Sequence, residues 1–245
     1  MPSSSKFASE VDIEAHPTAL KLIEHCIPLL EELLDHTPGP ALEAFLNTNY
    51  SEDTKFYHGL RELILAGLAE KWLASVALDG ARYRRSRLCA PCEATRYFSI
   101  TAVYMDSGYR PATSDHPEEG NRDDVFDEKT EYSGQFHAHP YGEINAVIAL
   151  DSTAELKGMS SWQGPGWTSP EPGSKHFPEV RGGRCIALFF LPAGRIAYPA
   201  DAPEKDGPNA YHKATAWSHN ATLREMMGLT GTESSDGQQE RAGLN

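Results

Sequence analysis

The stretch His137-Ala138-His139-Pro140-Tyr141-Gly142-Glu143 decides both the fold and the chemistry expected of this chain. On a β-strand, side chains two positions apart project from the same face, so the two imidazoles can point the same way about 7 Å apart. The proline and glycine that follow favour a tight turn, after which the carboxylate can return on the next strand. The stretch therefore predicts two histidines and one glutamate that converge on a single ion.

A second stretch, Pro172-Gly173-Ser174-Lys175-His176, places a third histidine just past a turn. A histidine pair alone is common by chance on exposed strands, but HxHxxxE followed by this stretch is much more specific. Three imidazoles and one carboxylate suit Fe, Mn, Ni, Co or Zn and leave positions open for water or substrate. We expect one divalent metal ion, with Fe, Mn and Zn as candidates, and its ligands are His137, His139, Glu143 and His176.

Glu143 and His176 are also the candidate catalytic residues. A carboxylate committed to a metal ion is a weaker base than a free one. Glu143 is therefore expected to act chiefly as a ligand.

The periodicity of the apolar residues divides the chain into segments. Leu20, Ile23, Ile27 and Leu30 recur at three- and four-residue steps, which is typical of a helix. After residue 70, short runs of aromatic and β-branched residues alternate with Gly, Asp and Pro, as in strands and turns. The predicted segments are a mobile arm (1–16), a helical segment packed on a barrel (17–70), the barrel (71–211) with a long acidic loop (106–131), a terminal helix (212–228) and a disordered tail (229–245). The fold class is therefore α+β and mainly β, because several short strands at regular spacing favour a sandwich or a closed barrel.

The charge balance and the apolar pattern restrict the partners. A formal net charge of -13 argues against nucleic acid, which requires a local excess of Lys and Arg. The basic cluster Arg82, Arg84, Arg85 and Arg87 is expected to be a solvated face of an edge strand, and a polyanion site is the less favoured reading. No apolar run approaches the roughly 20 residues that span a bilayer, so no membrane partner is expected. The N-terminus MPSSSKFASEVD has no apolar signal core, which favours a cytoplasmic location.

Cys89 and Cys92 form a CxxC pair that could be a redox pair or half of a zinc site. A structural zinc site usually needs a second pair of ligands, and the sequence has none at a suitable spacing. We therefore favour an incidental pair in a turn that contains proline.

Five further residues are candidates for substrate binding. Asn145 shares the alternation of Glu143 and could face the interior. Trp162 and Trp167 could wall an aromatic substrate, or they could belong to the core or to a subunit interface. Arg184 and Arg195 could hold a carboxylate by a bidentate contact, although a surface or structural role is more common for such arginines.

HAHPYGE followed by PGSKH resembles the two motifs of the cupin superfamily, which supply three His ligands and one Glu ligand to a metal in a jelly-roll β-barrel. A narrower resemblance covers most of the chain. The segments AGLAEKWL, HPYGEIN, GPGW, PGSKH and VRGGRCIALFFLPAGRI are similar to those of the 4-hydroxylaminobenzoate lyase family of small cupins. This resemblance implies conversion of 4-hydroxylaminobenzoate, or a related hydroxylamino-aromatic acid, to protocatechuate and ammonia.

Two other functions stay open at this point. With iron, the same ligand set could serve a dioxygenase that acts on a small aromatic substrate. A cupin could also bind a small ligand without catalysis. By analogy with other cupins, the chain is expected to form a homodimer.

Overall fold

The structure is a computed structural model that describes residues 7–108 and 131–199. Its first part contains the helices α1 (Pro17–Glu32), α2 (Pro40–Asn49) and α3 (Lys55–Ala69). Short 3-10 helices lie at Leu33–Asp35, directly after α1, and at Glu93–Thr95, among the strands. Both α1 and α2 begin with proline, whose fixed φ suits the first helical turn. Thr54 caps α3, because its hydroxyl oxygen accepts a hydrogen bond from the backbone N–H of Tyr57 at 3.2 Å. Helix α1 contains Pro28 and continues through it, although a proline inside a helix removes one backbone hydrogen bond.

The rest of the described chain is built from short strands. They are β1 (Val76–Asp79), β2 (Tyr83–Cys89), β3 (Phe98–Asp106), β4 (Glu131–Ser133), β5 (His137–Ala138), β6 (Ile144–Ala149), β7 (Glu155–Lys157), β8 (Trp162–Gln163), β9 (Gly166–Thr168), β10 (Lys175–His176), β11 (Glu179–Arg181) and β12 (Arg184–Pro192). Within the described residues they form a six-stranded sheet in the order β1-β2-β3-β12-β6-β9, a four-stranded sheet in the order β4-β11-β7-β8, and the pair β10-β5. All of these pairings are antiparallel.

The two faces of the six-stranded sheet have different neighbours. On β12, Ile186, Leu188 and Phe190 belong to the core that the sheet shares with the three helices. Cys185 and Ala187 alternate with them and belong to a second core, which the sheet shares with the four-stranded sheet. Successive side chains of a strand point to opposite faces, so the same short strands build both cores.

The predicted α+β, mainly β class with N-terminal helices is confirmed. Two antiparallel sheets that face each other across a core form the jelly-roll type of architecture expected of a cupin. The strands of residues 7–108 and 131–199 are divided among three sheets, with no continuous closed ring.

The start of the described chain differs from the predicted mobile arm. Residues 8–10 run beside β2, where the backbone N–H of Glu10 donates to the carbonyl of Arg87 at 3.0 Å and the N–H of Ala90 donates to the carbonyl of Ala8 at 2.8 Å. Val11 and Ile13 are buried in the core next to the helices. The prediction of a mobile arm is therefore wrong for residues 8–13, because two apolar side chains in a polar stretch suffice to anchor it.

The basic cluster also differs from its prediction. Arg85 and Arg87 are 7% and 4% exposed, so they are not part of a solvated strand face. Arg82 and Arg84 are half-buried and lie over the rings of Tyr132 and Tyr104 respectively. The edge-strand reading fails because β2 pairs with both β1 and β3 and residues 8–10 run beside its far end. Arg85 also lies opposite Val103, which belongs to the core between the sheets.

Three predicted segments fall largely outside the described residues. The acidic loop lies outside over 109–130, and its described ends are part of β3 and β4. The terminal helix (212–228) and the tail (229–245) lie wholly outside. Among the helices of residues 7–108 and 131–199, none combines the length and apolar character needed to cross a membrane.

Candidate metal centre

The four predicted ligands meet in the structure. One ligand atom from each of His137, His139, Glu143 and His176 can be chosen so that all four lie within 4.8 Å of one another. His137, His139 and Glu143 are almost completely buried, and His176 is partly buried. We call these four residues the ligand cluster.

Strand pairing and one tight turn bring the ligand cluster together. His176 on β10 pairs directly with His137 on β5, so the two imidazoles share a face. Gly142 closes the turn between His139 and Glu143 at a φ of +80°, and its N–H donates to the carbonyl of His139 at 3.2 Å. A side chain here would be strained, and its Cβ would come within 2.5 Å of Pro38.

The imidazole nitrogens are spaced as ligands of one ion would be. The Nε2 atom of His176 lies 3.2 Å from the Nε2 atoms of both His137 and His139. Bonds of about 2.0–2.1 Å from nitrogen to a central ion place neighbouring ligand atoms roughly 3.0–3.4 Å apart. The observed spacing therefore fits a shared cation.

A second contact orients His137. Its Nδ1 atom lies 2.7 Å from the backbone carbonyl of Gln135. A carbonyl can only accept, so Nδ1 carries the hydrogen and Nε2 presents its lone pair to the ligand cluster. Hydrogen bonds of this kind fix the tautomer of metal-binding histidines.

Glu143 is held by Asn145, whose Nδ2 donates to Oε1 of Glu143 at 2.8 Å and to Oγ1 of Thr168 at 3.0 Å. The other carboxylate oxygen, Oε2, lies 3.3 Å from Nδ1 of His139. Both of these atoms are buried and have no hydrogen-bond partner. Buried polar atoms are normally satisfied, so a carboxylate oxygen without a partner beside three imidazoles fits a bound cation. His139 faces His176 through Nε2, so Nε2 and not Nδ1 is the atom of this ring that would bind the ion.

Burial sets the charge states of the cluster in the absence of an ion. It lowers the pKa of His139 to about 3, assisted by the charge of His176, and it lowers the pKa of His176 to about 4, assisted by Lys157. It raises the pKa of Glu143 to about 8, and the hydrogen bond from Asn145 opposes this rise. Neutral imidazoles are the form that binds metal. The residues present therefore fit a divalent ion.

The structure brings one of the five predicted substrate-binding residues to the ligand cluster. Asn145 shares the face of Glu143, as the alternation predicts. Trp167 was expected as a pocket wall, but it is fully buried on the helical side of the sheet. Its indole N–H donates to the carbonyl of Tyr50 at 2.7 Å, and its ring stacks with those of Phe56 and Phe190. Trp167 is therefore a core residue.

The other three candidates also lie elsewhere. Trp162 pairs with Lys157 on the outer face of the four-stranded sheet, and the guanidinium of Arg181 covers its ring at 4.4 Å. Arg184 donates two hydrogen bonds to the carboxylate of Asp151, at 2.8 and 3.0 Å, and is a structural arginine. Arg195 is exposed. The roles predicted for these residues in substrate binding are not supported by their positions.

Two residues near the ligand cluster were missed by the sequence analysis. Thr168 accepts from Asn145, and the ring of Tyr198 lies 6.2 Å from that of His137 at an angle of 68°. Thr168 follows Trp167 on β9 and therefore points to the other face, which alternation alone could have shown. Nothing in the local sequence marks Tyr198.

The chain matches known proteins over most of its length. The family model described as PnbB, 4-hydroxylaminobenzoate lyase, matches residues 24–198. Two relatives named 4-hydroxylaminobenzoate lyase are each 47% identical to this chain. The one from Nocardioides sp. (strain LMS-CY) aligns over 76% of this chain and 98% of its own length, and the one from Pseudomonas putida over 74% and 96%. A solved structure, DMSP lyase DddQ from Ruegeria pomeroyi DSS-3, aligns over 77% of this chain and 100% of its own with 17% identity and a TM-score of 0.39.

Removing one histidine of the cluster should remove the metal. We expect His137→Ala and His176→Ala to lose metal content measured by elemental analysis, because each change deletes one of three convergent nitrogens. The matched control is His58→Ala, since His58 is exposed on α3. Circular dichroism should show that all three variants stay folded. One ion per chain in both cluster variants would show that the metal binds elsewhere.

The raised pKa of Glu143 gives a pH test on metal-free protein. The folded chain binds this proton more tightly than the unfolded chain, so the stabilising contribution is complete below pH 4.5 and is lost as the pH rises to about 8. The free energy of unfolding of the wild type, minus that of Glu143→Gln, should therefore fall over this range. Urea denaturation at several pH values measures it, and a difference that rises with pH would contradict the assignment.

Proposed function

Because this chain belongs to the 4-hydroxylaminobenzoate lyase family, we propose that it converts 4-hydroxylaminobenzoate and one water to protocatechuate and ammonia, using a divalent metal ion held by the ligand cluster. The observation that carries this proposal is the buried cluster of three imidazoles and one carboxylate in a chain 47% identical to two proteins of that name. Membership of the family supports the reaction class, and the ligand cluster supports a metal-dependent reaction at this position.

The proposed reaction is balanced without an external oxidant or reductant. One N–O bond, one C–N bond and one ring C–H bond break, and two C–O bonds form on the ring, while the hydrogens end on the oxygens and the nitrogen. The ring is oxidised as the nitrogen is reduced, and the nitrogen leaves as ammonia. One water is consumed in total. The chain therefore needs to polarise, orient and move protons, and it needs no redox cofactor.

The residues of the cluster have separate roles in this proposal. A divalent ion, when bound, supplies Lewis-acid polarisation of the hydroxylamine oxygen or activation of a water. His137 is held in one tautomer by the carbonyl of Gln135, and Asn145 holds the carboxylate of Glu143 in place. His176 is partly buried where the others are almost completely buried, so it is the ligand nearest to solvent and the one best placed to exchange a proton. Positioned groups of this kind are what general acid–base catalysis requires.

The proposal predicts turnover without oxygen. Metal-loaded protein incubated with 4-hydroxylaminobenzoate under nitrogen should release protocatechuate and ammonia in a one-to-one ratio. Chelation of the metal should abolish turnover, and addition of the ion should restore it, because the proposed step depends on polarisation by the ion. His58→Ala serves as the control variant, with unchanged turnover expected.

The same experiment separates the alternatives. Release of no ammonia by metal-loaded protein would contradict the lyase assignment. Turnover that requires oxygen would favour a dioxygenase. Binding of the aromatic acid that survives chelation, with no turnover of any kind, would favour a non-catalytic binding protein.

A further inference from the structure

Two buried arginines share the interior face of the six-stranded sheet with Asn145, the residue that holds Glu143. Arg85 pairs with Val103 and Arg87 with Thr101, and the side chain of Val103 is part of the core between the sheets. Paired residues of an antiparallel sheet project to the same face. Arg85 and Arg87, here called the arginine pair, therefore point toward the same interior as Glu143 and not toward the helices.

The strand register connects the arginine pair to the ligand cluster through one row of side chains. Arg87 lies opposite Thr101, Thr101 opposite Phe189, and Phe189 opposite Asn145. The row thus begins with a cation, continues over an aromatic side chain and ends at the residue that holds Glu143. A para-substituted benzoate has the same order of groups: an anion, an aromatic ring and a polar group that reacts.

The length of the row suits a small aromatic acid. Neighbouring strands lie about 4.8 Å apart, so the backbones of Arg87 and Asn145 are separated by roughly 14 Å. Side chains of a strand stand roughly perpendicular to the sheet, so the guanidinium of Arg87 and the amide of Asn145 rise from the same face at the two ends of this separation. A single benzene ring with two para substituents is of the size that fits between them.

Tyr198 lies beside the ligand cluster. Its ring is 6.2 Å from the ring of His137, which belongs to the ligand cluster. Burial is the largest cause of its raised pKa, and both arginines lower that pKa while Glu143 raises it. The charges of the arginine pair and of Glu143 therefore both act on this side chain.

The charges of the arginine pair favour an anion. Arg85 Nη1 donates to a carboxylate oxygen of Glu10 at 2.5 Å, and the backbone N–H of Arg87 reaches the same oxygen at 3.4 Å. Burial lowers the pKa of Arg87, and the nearby Arg85 lowers it further against the effect of Glu10. Two buried guanidinium groups beside Glu10 carry more positive than negative charge. A guanidinium has five N–H donors, so one that already has contacts can still hold a carboxylate with two of them.

We propose that Arg87, with Arg85 and Glu10 positioned behind it, binds the carboxylate of the aromatic acid whose para substituent reaches the ligand cluster. This inference rests on the proposed function for the identity of the acid. It assigns substrate selection to the arginine pair, in place of the Arg184 and Arg195 suggested by the sequence.

The test compares an acid with its neutral analogue. In metal-loaded Arg87→Gln, kcat/KM for 4-hydroxylaminobenzoate should fall about tenfold to a hundredfold, because a charge-assisted hydrogen bond to the carboxylate is lost. For 4-hydroxylaminobenzamide, which has no carboxylate, wild type and variant should agree within about threefold. For the acid, kcat/KM of Arg87→Lys should lie between the values of wild type and Arg87→Gln, since lysine keeps the charge and loses the bidentate geometry. The matched control is Arg84→Gln, because Arg84 is the adjacent arginine of β2 and lies over the ring of Tyr104 on the opposite face.

Each outcome has a defined meaning. Unchanged kcat/KM for the acid in Arg87→Gln, or an equal loss for acid and amide, would overturn the proposal. If the variants do not fold, calorimetry on wild-type protein decides, and binding of 4-hydroxybenzamide as tight as that of 4-hydroxybenzoate would overturn it. If wild-type protein has no lyase activity but binds 4-hydroxybenzoate in a manner that depends on Arg87, the proposed function fails and the carboxylate site stands.

Discussion

The convergence of three imidazoles and one carboxylate in a buried space is the interaction on which the rest of this structure depends. Such groups are costly to remove from water unless something inside the protein satisfies them. His139 Nδ1 and Glu143 Oε2 are buried without a hydrogen-bond partner, so the surrounding protein leaves part of this cost uncompensated. A cation at the centre of the cluster would offset the share of this cost that belongs to the Glu143 carboxylate. The cluster therefore lowers the stability of the metal-free fold, and a bound ion would restore part of it.

The six-stranded sheet makes this arrangement possible because its two faces pack against different parts of the chain. Ile186, Leu188 and Phe190 anchor one face of β12 to the helices, which leaves the other face free to line the interior. Glu143 and Asn145 occupy the inner-facing positions at the start of β6. A slip of one residue in the register would exchange the two faces, so the apolar contacts of the helices also fix the position of the chemical groups.

The convergence of His137, His139 and Glu143 could be predicted from the sequence because its signal is local. HxHxxxE needs only strand alternation and one turn to bring its side chains together, and Gly142 supplies that turn at a positive φ. Trp167 could not be placed in this way. Its partners Tyr50 and Phe56 lie more than a hundred residues earlier in the chain, and their contacts decide which face of β9 is covered by helices.

The arginine pair shows the same limit of sequence reasoning. Alternation of arginines along β2 fits a solvated edge as well as it fits an interior face lined with charge. The difference depends on β1 and residues 8–10, which run beside β2, and on the four-stranded sheet, which shares the core on this face. The core position of Val11 could not be expected from a polar N-terminal stretch. The expected homodimer, the lack of nucleic-acid or membrane partners and the identity of the metal stay predictions.

Anomalous diffraction from crystals of metal-loaded protein, recorded at the absorption edge of the bound metal, tests the central claim most directly. If the ligand cluster holds the ion, one strong peak should lie about 2.0–2.2 Å from Nε2 of His137, His139 and His176 and from an oxygen of Glu143. A peak at any other place in the chain, with these four side chains turned away from one another, would contradict it.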